Sequence, residues 1–597
     1  MRCSLLVGLA LGGMTATGMA ADNADSPRQG PRPVAPQFAG VGRMIPDFAA
    51  TDVAGKPVSL TAVAKDKKAI VIALTSTSCP VSKKYLPTFA KLERDYGSKG
   101  VAFIYINPIA TDKAADIQAA IADQKLIGAY IRDTDGTLAK ALRANTTGDA
   151  FVLDAQRTVV YRGAVDDRYG IGYALETAKA NYLGDALDAT LAGAAVKLPA
   201  NDAPGCALDL SEAKAPAKPA VTFHNRISRI VQQNCQECHR TGGVGPFVLD
   251  SLAEVVAHKG MIKKVVDNST MPPWFAVDGK DDHRKWVNDK SLTADDKADL
   301  LAWFEKGAPA GDPADAPRPI AYPADWVIGK PDLVVQIPKK IAIKADGVMP
   351  YQNAIADTML TEDKWIQSFE VKPTDRAVVH HVLVFAILGD FKKLGQRAEE
   401  RDGFFAAYVP GNDHQIFPEG FAKKLPKGSK LLFQIHYTPN GKATEDQIKI
   451  GMVYAKSPPK YELKVAGLAN HAIQIPPGDR DYVNTANLRV PFDAVVTGFM
   501  PHMHVRGSAC KYEMTVDGKT TTVLDIPKYD FNWQLKYQLA EPIAVPAGTS
   551  LKFTAHFDNS PNNPANPDPA KLVKWGPQTS DEMLLGYVEY YRPVPVK

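Results

Sequence analysis

The sequence contains neither a long hydrophobic run nor a strong excess of charge. A membrane-spanning helix needs ~20 consecutive apolar residues, and no stretch of the 597 residues reaches that length. The 70 Lys and Arg residues are balanced by 66 Asp and Glu residues, for a net charge of +4, and no basic run stands out. Since no apolar run is long enough, we expect no membrane span. Because polyanion-binding surfaces are strongly basic, we also expect no nucleic-acid partner.

Cysteine is also scarce, with six residues in the whole chain. Cys3 lies in a segment that combines Arg2, a short apolar stretch at 5–14 and a small-residue boundary at 18–21. This pattern is typical of a secretory signal, over residues 1–21, that is removed on export. We therefore expect a periplasmic or secreted protein.

The chain is far longer than the ~150 residues of a usual domain, so several domains are expected. Two stretches rich in Pro and Ala, 198–219 and 307–325, are predicted to be linkers. The predicted domains cover residues 43–197, 220–306, 326–456 and 457–597.

The first and last parts of the chain show different hydrophobic patterns. Apolar runs at 69–74 and 101–107 alternate with helical segments such as 83–96, which predicts an α/β domain with a parallel or mixed sheet. The C-terminal part instead has short alternating segments, such as 431–437 and 551–557, separated by turn residues. This pattern predicts antiparallel β sandwiches.

The middle domain carries a Cys-x-x-Cys-His motif, Cys235 to His239. Two thiols at this spacing can form thioethers with haem vinyl groups, while the adjacent imidazole binds the iron. Met271, downstream, is the predicted second axial ligand, with ordinary core packing as the alternative. A zinc site is a less favoured interpretation of the motif than a haem site, because no second Cys/His pair follows. The segment 223–306 resembles a small class I cytochrome c domain, which implies an all-α fold and one covalently attached c-type haem.

Several histidines in the C-terminal part stand close together in sequence. His502 and His504 are two residues apart, so a β-strand would place both on one face, within reach of one metal ion. His380 and His381 are adjacent, so joint ligation requires a bulge or a strand end. His436 lies in a β-like run of alternating residues.

At these residues the sequence resembles the copper type II, ascorbate-dependent monooxygenases, over about 326–593. The resemblance rests on Val379-His380-His381-Val382, Gln434-Ile435-His436-Tyr437, Pro501-His502-Met503-His504 and Asp581-Glu582-Met583. It implies two packed β sandwiches of the jelly-roll type with one copper ion on each. The implied ligands are His380, His381 and His436 for the first ion, and His502, His504 and Met583 for the second.

The two implied ligand sets suit different chemistry. Three imidazoles suit a copper that relays electrons, whereas the soft thioether of Met583 favours Cu(I), which reacts with O2. His502, His504, Met583 and Tyr587, which matches a family tyrosine, are therefore the expected catalytic residues. Met500 and Leu585 stand where the peptide-amidating members have an arginine and an asparagine, which disfavours peptide C-terminal amidation. The expected substrate is a small molecule or a peptide.

The N-terminal domain carries a cysteine between a β run and a helix. The segment 77–82 resembles the active-site corner of thioredoxin-like proteins, or redoxins, over about 45–194. A helix N-terminus lowers the pKa of such a thiol. Ser82 replaces the second cysteine of Cys-x-x-Cys, and Gly148 stands where a cis-proline is expected. Related redoxins carry a second cysteine in a Gly-Cys element, so Cys79 is expected to pair with Cys206, in a redox-active or a structural disulfide.

Together these features predict an exported copper-dependent monooxygenase that inserts one oxygen atom of O2 into a substrate C–H bond. The fused haem would supply electrons from an external donor, either an ascorbate-like reductant or a periplasmic redox protein. The alternative is a periplasmic copper-handling or electron-transfer protein without hydroxylase activity. A haem peroxidase is the weakest interpretation, because Met271 would close the iron to peroxide.

Overall fold

The computed structural model describes residues 30–170, 173–214, 219–277, 285–323, 325–389 and 403–595, and the predicted signal segment lies outside them. Among the described helices, none combines the length and the apolar character that a bilayer crossing requires.

The N-terminal region forms a five-stranded mixed sheet in the order β5-β4-β3-β6-β7. The strands are β1 (Ala49–Thr51), β2 (Pro57–Ser59), β3 (Ala69–Leu74), β4 (Val101–Asn107), β5 (Ala129–Arg132), β6 (Ala150–Asp154), β7 (Val159–Gly163), β8 (Tyr169–Gly170) and β9 (Tyr173–Ala174). The helices are α1 (Leu60–Ala64), α2 (Pro80–Gly97), α3 (Ala114–Gln124), α4 (Thr137–Leu142) and α5 (Tyr182–Ala192).

The parallel strands β3, β4 and β5 are joined by α2 and α3, because parallel neighbours need crossover connections. Every residue of β3 is buried, as expected for a strand covered on both faces. The predicted α/β domain with a mixed sheet is therefore confirmed, and its strand order is thioredoxin-like. Part of the predicted linker 198–219 packs on this sheet: Ala200 is fully buried and Asn201 accepts a hydrogen bond from the backbone of Ala164.

The described part of the middle region is helical. After a wide helical turn at Phe223–Ile227, the helices are α6 (Ser228–Asn234), α7 (Leu252–Ala257), α8 (Lys259–Asp267) and α9 (Ala294–Glu305). Thr222 begins the first turn with a capping box, and Trp303 of α9 lies at the centre of the small core. Trp274 and Trp286 leave this core and pack beside Tyr537, so the helical region is docked on the C-terminal β region.

The described residues of the C-terminal region form twenty-one strands in two halves. The first half contains β10 (Leu333–Gln336), β11 (Ile341–Ile343), β12 (Gln352–Asp357), β13 (Lys364–Lys372), β14 (Val379–Ile387), β15 (Ala406–Tyr408), β16 (His414–Ile416), β17 (Phe421–Leu425), β18 (Lys430–Tyr437), β19 (Thr444–Asp446) and β20 (Lys449–Tyr454). The second half contains β21 (Tyr461–Ala469), β22 (Gln474–Ile475), β23 (Tyr482–Arg489), β24 (Ala494–His502), β25 (Gly507–Val516), β26 (Lys519–Ile526), β27 (Tyr537–Val545), β28 (Ser550–Phe557), β29 (Val573–Lys574) and β30 (Leu585–Pro593).

One sheet runs through both halves, in the order β10-β20-β13-β17-β21-β30-β24-β27 with β16 beside β13. A four-stranded sheet, β12-β18-β14-β15, covers it in the first half, and another, β23-β28-β25-β26, covers it in the second. Each half encloses its own hydrophobic core. The two halves join through the parallel pair β17–β21, and a smaller apolar cluster that includes Leu383 and Tyr587 lies between them. The predicted β-rich C-terminal region is confirmed.

Candidate metal centre

The first predicted ligand set lies on two neighbouring strands. His381 of β14 and His436 of β18 are paired across the ladder, and the register shifts between Val379 and His381. This irregularity is the bulge that the adjacent pair requires, since it lets His380 and His381 face the same point. One ligand atom from each of the three histidines lies within 4.8 Å of the others.

Hydrogen bonds indicate which nitrogen of each ring is available in this set. His380 Nδ1 and His381 Nδ1 are 3.0 Å apart, and His436 Nδ1 is buried without a hydrogen-bond partner among the described residues. The Nε2 atoms of His381 and His436 contact Tyr351 OH at 3.1 Å and Thr579 Oγ1 at 3.2 Å. Such partners fix the ring orientation of a metal ligand. These partners leave Nδ1 of His381 and His436 to face an ion, whereas Nε2 of His380 is also buried without a hydrogen-bond partner among the described residues.

Burial keeps these imidazoles in the form that binds metal. It lowers the pKa of His380 to about 3 and that of His436 to about 4, because the charged form loses its hydration. His381 is 1% exposed, and burial lowers its pKa as well. Neutral imidazoles bind metal without first releasing a proton, so the donor set fits a copper ion.

The second predicted set begins where β24 ends. The strand stops at His502, so the prediction that His502 and His504 share one strand face is wrong for His504, yet their ring centroids are 5.4 Å apart. His502 Nδ1 contacts Gln534 Oε1 at 2.7 Å, and His504 Nδ1 contacts the carbonyl of Asp581 at 3.3 Å. Both partners are hydrogen-bond acceptors, so Nδ1 of each ring donates its N–H and Nε2 keeps a free lone pair. His504 Nε2 is buried without a protein partner among the described residues.

A buried carboxylate joins the two segments that carry this set. Glu582 is fully buried and accepts backbone N–H bonds from His504 at 2.8 Å, Arg506 at 2.7 Å and Met583 at 3.2 Å. Burial raises the pKa of Glu582 to about 7, because the loss of hydration outweighs the lowering of the pKa by these hydrogen bonds. Met583 is thereby held beside the His504 segment, and its role as a thioether ligand stays a prediction.

Tyr587 lies on β30, opposite Met500 of β24. Its ring is buried, 6.5 Å from the ring of His502 and 4.9 Å from that of Phe404. Tyr587 therefore lies between the two halves of the β region, close to the second set. Its catalytic role stays a prediction.

A cleft of about 590 Å³ opens beside the first set. His380 and His436 line it, together with Phe531 and Thr579. Sequence reasoning assigned no role to five residues of the site, Tyr351, Phe531, Gln534, Thr579 and Glu582. Only Glu582 stands in a motif that the sequence analysis used, beside Met583, and its burial and its hydrogen bonds depend on the fold.

The Cys-x-x-Cys-His motif follows α6. His239 Nδ1 contacts the carbonyl of Phe247 at 3.0 Å, which leaves Nε2 for an axial bond. Burial raises the pKa of the Cys235 thiol to about 12 and that of Cys238 to about 11.

Met271 follows α8 and is half-buried, and its backbone N–H donates to the carbonyl of Val265 at 3.1 Å. Its position after a packed helix is compatible with the predicted axial role, which stays a prediction.

The structure brings the two predicted thiols together. Cys206 Sγ donates to Cys79 Sγ at 2.8 Å, where Cys79 stands immediately before α2. Burial opposes ionisation of Cys79, but hydrogen bonds from Cys206 and Thr147 outweigh it and lower its pKa. A Cβ on Gly148 would lie 1.9 Å from the carbonyl oxygen of Pro204, so this glycine makes room for the segment that carries Cys206.

Comparisons with known proteins agree with two parts of this description. Residues 41–162 match the AhpC/TSA family, and residues 469–597 match the C-terminal domain of the copper type II ascorbate-dependent monooxygenases. The chain therefore contains a thioredoxin-like domain and a copper-monooxygenase-like domain, which indicates an oxidoreductase that uses copper. The matches do not cover residues 163–468, so the haem expectation rests on its motif. No curated protein matches the chain.

Solved structures resemble a part of the chain. A hypothetical protein from Sinorhizobium meliloti 1021 is 28% identical over 30% of this chain and 96% of its own, with a TM-score of 0.27. An uncharacterized conserved protein from Geobacillus kaustophilus is 28% identical over 30% of this chain and 95% of its own, with a TM-score of 0.27. A peroxidoxin from Mycobacterium tuberculosis is 19% identical over 26% of this chain and 97% of its own, with a TM-score of 0.21. These TM-scores are too low to support a functional assignment.

Proposed function

We propose that the chain is a copper-dependent monooxygenase acting on a C–H bond of a small molecule or peptide. One oxygen atom of O2 enters the substrate as a hydroxyl group, and the other leaves as water, with two electrons and two protons taken up. The observation that carries this proposal is the convergence of His380, His381 and His436 on one point. Beside it lie His502 and His504, in the half of the β region that matches the copper-monooxygenase domain.

Each of the two ligand sets would bind one copper ion. The first set would hold one copper through three neutral imidazoles, while Tyr351 and Thr579 keep the rings of His381 and His436 in place. His502 and His504 hold the second through Nε2, with Met583 as the thioether ligand. Copper bound by a thioether is stabilised as Cu(I), which activates O2. Tyr587 lies close to His502, beside the reacting centre.

Electrons reach the copper sites from a c-type haem attached at Cys235 and Cys238. His239 and Met271 bind its iron, and the hydrogen bond to Phe247 orients the His239 ring for that role. A contact with the β region supports this route. A Cβ on Gly411 would lie 3.7 Å from Cys238 Sγ. The turn that contains Gly411 follows β15, which pairs with β14 immediately beyond His381.

The protein is exported by the signal segment 1–21 and works in the periplasm or outside the cell, where an ascorbate-like reductant or a redox protein reduces the haem. Cys79 and Cys206 pair there by thiol–disulfide exchange with an oxidised dithiol protein of that compartment, whose disulfide takes up the two electrons and two protons and is reduced to two thiols. Peptide mapping of the oxidised protein is expected to recover these two cysteines cross-linked. Recovery of both as free thiols would remove this part of the proposal.

Hydroxylation is tested by replacing second-set ligands. In His504→Ala and Met583→Ala, reductant-dependent O2 uptake coupled to product is expected to fall to background, while the c-type haem spectrum is retained. His556→Ala is the matched control, because His556 is partly exposed and bound to Asp481. Undiminished coupled uptake in both ligand variants would refute the assignment.

A second candidate function is electron transfer or copper handling without hydroxylation. It is favoured by the burial of the second set, since His504 is 0% and Met583 9% exposed, whereas a substrate must reach the ion that activates O2. If copper loads both sets and exchanges electrons with the haem, yet no C–H substrate stimulates O2 uptake, this second function replaces the first.

A further inference from the structure

The helical region adds a short segment to the edge of the large C-terminal sheet. The backbone N–H of Val287 donates to the carbonyl of Gln538 at 3.0 Å, and the backbone N–H of Ala540 donates to the carbonyl of Lys285 at 2.9 Å. Strand β27 is the last strand in the order of that sheet. The segment 285–287 therefore covers an edge strand, as natural proteins commonly do with helices or loops.

The added segment lies where β27 leaves its other partner. β27 pairs with β24 at Tyr537 and Gln538 and again from Ile543, and the register shifts between these stretches. Leu539 lies in this gap and forms an antiparallel bridge with Trp286. Trp286 is buried in the hydrophobic core of the second half. The helical region thus completes the backbone pairing of β27.

Asn288 follows this segment and holds the start of β27. Its Nδ2 donates to the carbonyl of Lys536 at 2.7 Å, and its Oδ1 accepts a hydrogen bond from the backbone N–H of Gln538 at 2.9 Å. The ammonium group of Lys536 donates to the buried carboxylate of Glu589 at 2.8 Å. Lys536 is therefore fixed at its backbone from the helical region and at its side chain from β30.

Gln534 lies two residues before this fixed position and orients His502. Its Oε1 contacts Nδ1 of His502 at 2.7 Å. Its Nε2 is buried without a hydrogen-bond partner among the described residues, so that atom does not anchor the amide. The position of the Gln534 side chain therefore depends on the backbone that carries it, which is fixed at Lys536.

We propose that Asn288 of the helical region is a positioning residue for the second ligand set, acting through Gln534 on His502. The inference rests on the proposed function, since it takes His502 as a copper ligand. Gln534 holds the His502 ring with Nδ1 as the donor and leaves Nε2 for the ion. Without the Asn288 hydrogen bonds the segment that carries Gln534 is less firmly held, so the second set binds copper more weakly. His381 and His436 of the first set stand on their own strand pair.

Competition titrations of the full-length protein with Cu(I) and a chromophoric Cu(I) chelator test this role. The His436→Ala background removes a first-set ligand, so Cu(I) binding there reports the second set. In that background Asn288→Leu is expected to weaken Cu(I) binding about 10-fold, as loss of an outer partner of a metal ligand does. Asn487→Leu is the matched control, because Asn487 is exposed on β23 of the same half.

Unchanged affinity in Asn288→Leu would overturn the inference and leave the proposed function standing. If the His436→Ala protein itself binds no Cu(I), the proposed function fails as well. Addition of Asn288→Leu to Gln534→Leu is expected to cause no further loss, because both changes act on the same contact. Full additivity would refute action through Gln534. An equal loss from the first set, measured in the His504→Ala background, would refute a role specific to the second set.

Hydrogen–deuterium exchange of the metal-free protein provides a measurement that does not depend on copper. Residues 534–538 are expected to exchange faster in Asn288→Leu and at the parent rate in Asn487→Leu, and unchanged exchange in Asn288→Leu would refute the anchoring role. Asn288→Asp keeps the acceptor for Gln538 and removes only the donor to Lys536. It is expected to weaken the second set as well, and it serves as the test if circular dichroism shows that Asn288→Leu does not fold.

Discussion

The two ligand sets lie side by side, but different forces hold them. His381 and His436 stand on paired strands, so the backbone hydrogen bonds of a ladder fix their separation. His504 lies beyond the end of β24, and Met583 precedes β30, so no ladder joins them. The carboxylate of Glu582 links their backbones instead. His504 and Met583 are therefore joined through side-chain hydrogen bonds, whereas His381, His436 and His502 stand on paired strands.

Glu582→Ala is expected to produce the largest effect. It leaves three buried N–H groups without an acceptor, and each such loss costs roughly 1–3 kcal/mol. We expect copper to be lost from the second set only, and the free energy of unfolding to fall by about 3 kcal/mol or more. Copper per chain and urea unfolding measure both quantities.

The exposed Glu445, replaced by Ala, serves as the control for this variant, since 58% of its side chain is exposed. Retention of both copper ions by Glu582→Ala, with unchanged stability, would contradict the difference between the two sets.

A smaller effect is expected when one orienting partner is removed from each set. Thr579→Val removes the contact to His436 Nε2, and Gln534→Leu removes the one to His502 Nδ1. Loss of such a partner lowers metal affinity by about 10–100-fold. Copper competition titrations should show the loss in the first set for Thr579→Val and in the second for Gln534→Leu. An equal loss in both sets from either variant would show that the sets do not bind separately.

The smallest effect, counted per pH unit, is expected from pH on the metal-free protein. Burial lowers the pKa of both His436 and His502 to about 4, from the ordinary value of about 6.5. The unfolded state therefore binds more protons between these values, and stability falls as the pH drops from 6.5 towards 4. Each histidine contributes a slope of up to about 1.4 kcal/mol per pH unit.

Unfolding measured across this pH range, in His436→Asn and in His502→Asn, should show a shallower slope in each variant. If neither variant changes the slope of unfolding free energy against pH, the two rings are not buried in the neutral form. The assignment of both as neutral metal ligands then fails.

The pair Cys79 and Cys206 shows how much of a site a local sequence pattern can predict. A cysteine between a strand and a helix is readable from the sequence, because β3 and α2 follow from hydrophobic periodicity. The absence of a proline at Gly148 looked like a departure from the redoxin pattern. In the structure the glycine admits the segment that carries Cys206, since a Cβ there would meet the Pro204 carbonyl. The choice of glycine over proline at position 148 depends on a contact between residues far apart in the chain, which hydrophobic periodicity does not encode.

The sequence by itself determined that an α/β thioredoxin-like domain and a β-rich copper-monooxygenase-like region are present, and it named the candidate ligand residues. Both are local properties: the periods of strands and helices, and the side chains available in short motifs such as His380-His381 and Cys235 to His239. Only the tertiary structure decided which ring nitrogens have hydrogen-bond partners, that Glu582 joins the segments of His504 and Met583, and that Tyr351 packs against both sets. Each of these depends on long-range packing and burial, and residues far apart in the chain acquire such neighbours only when the sheets close.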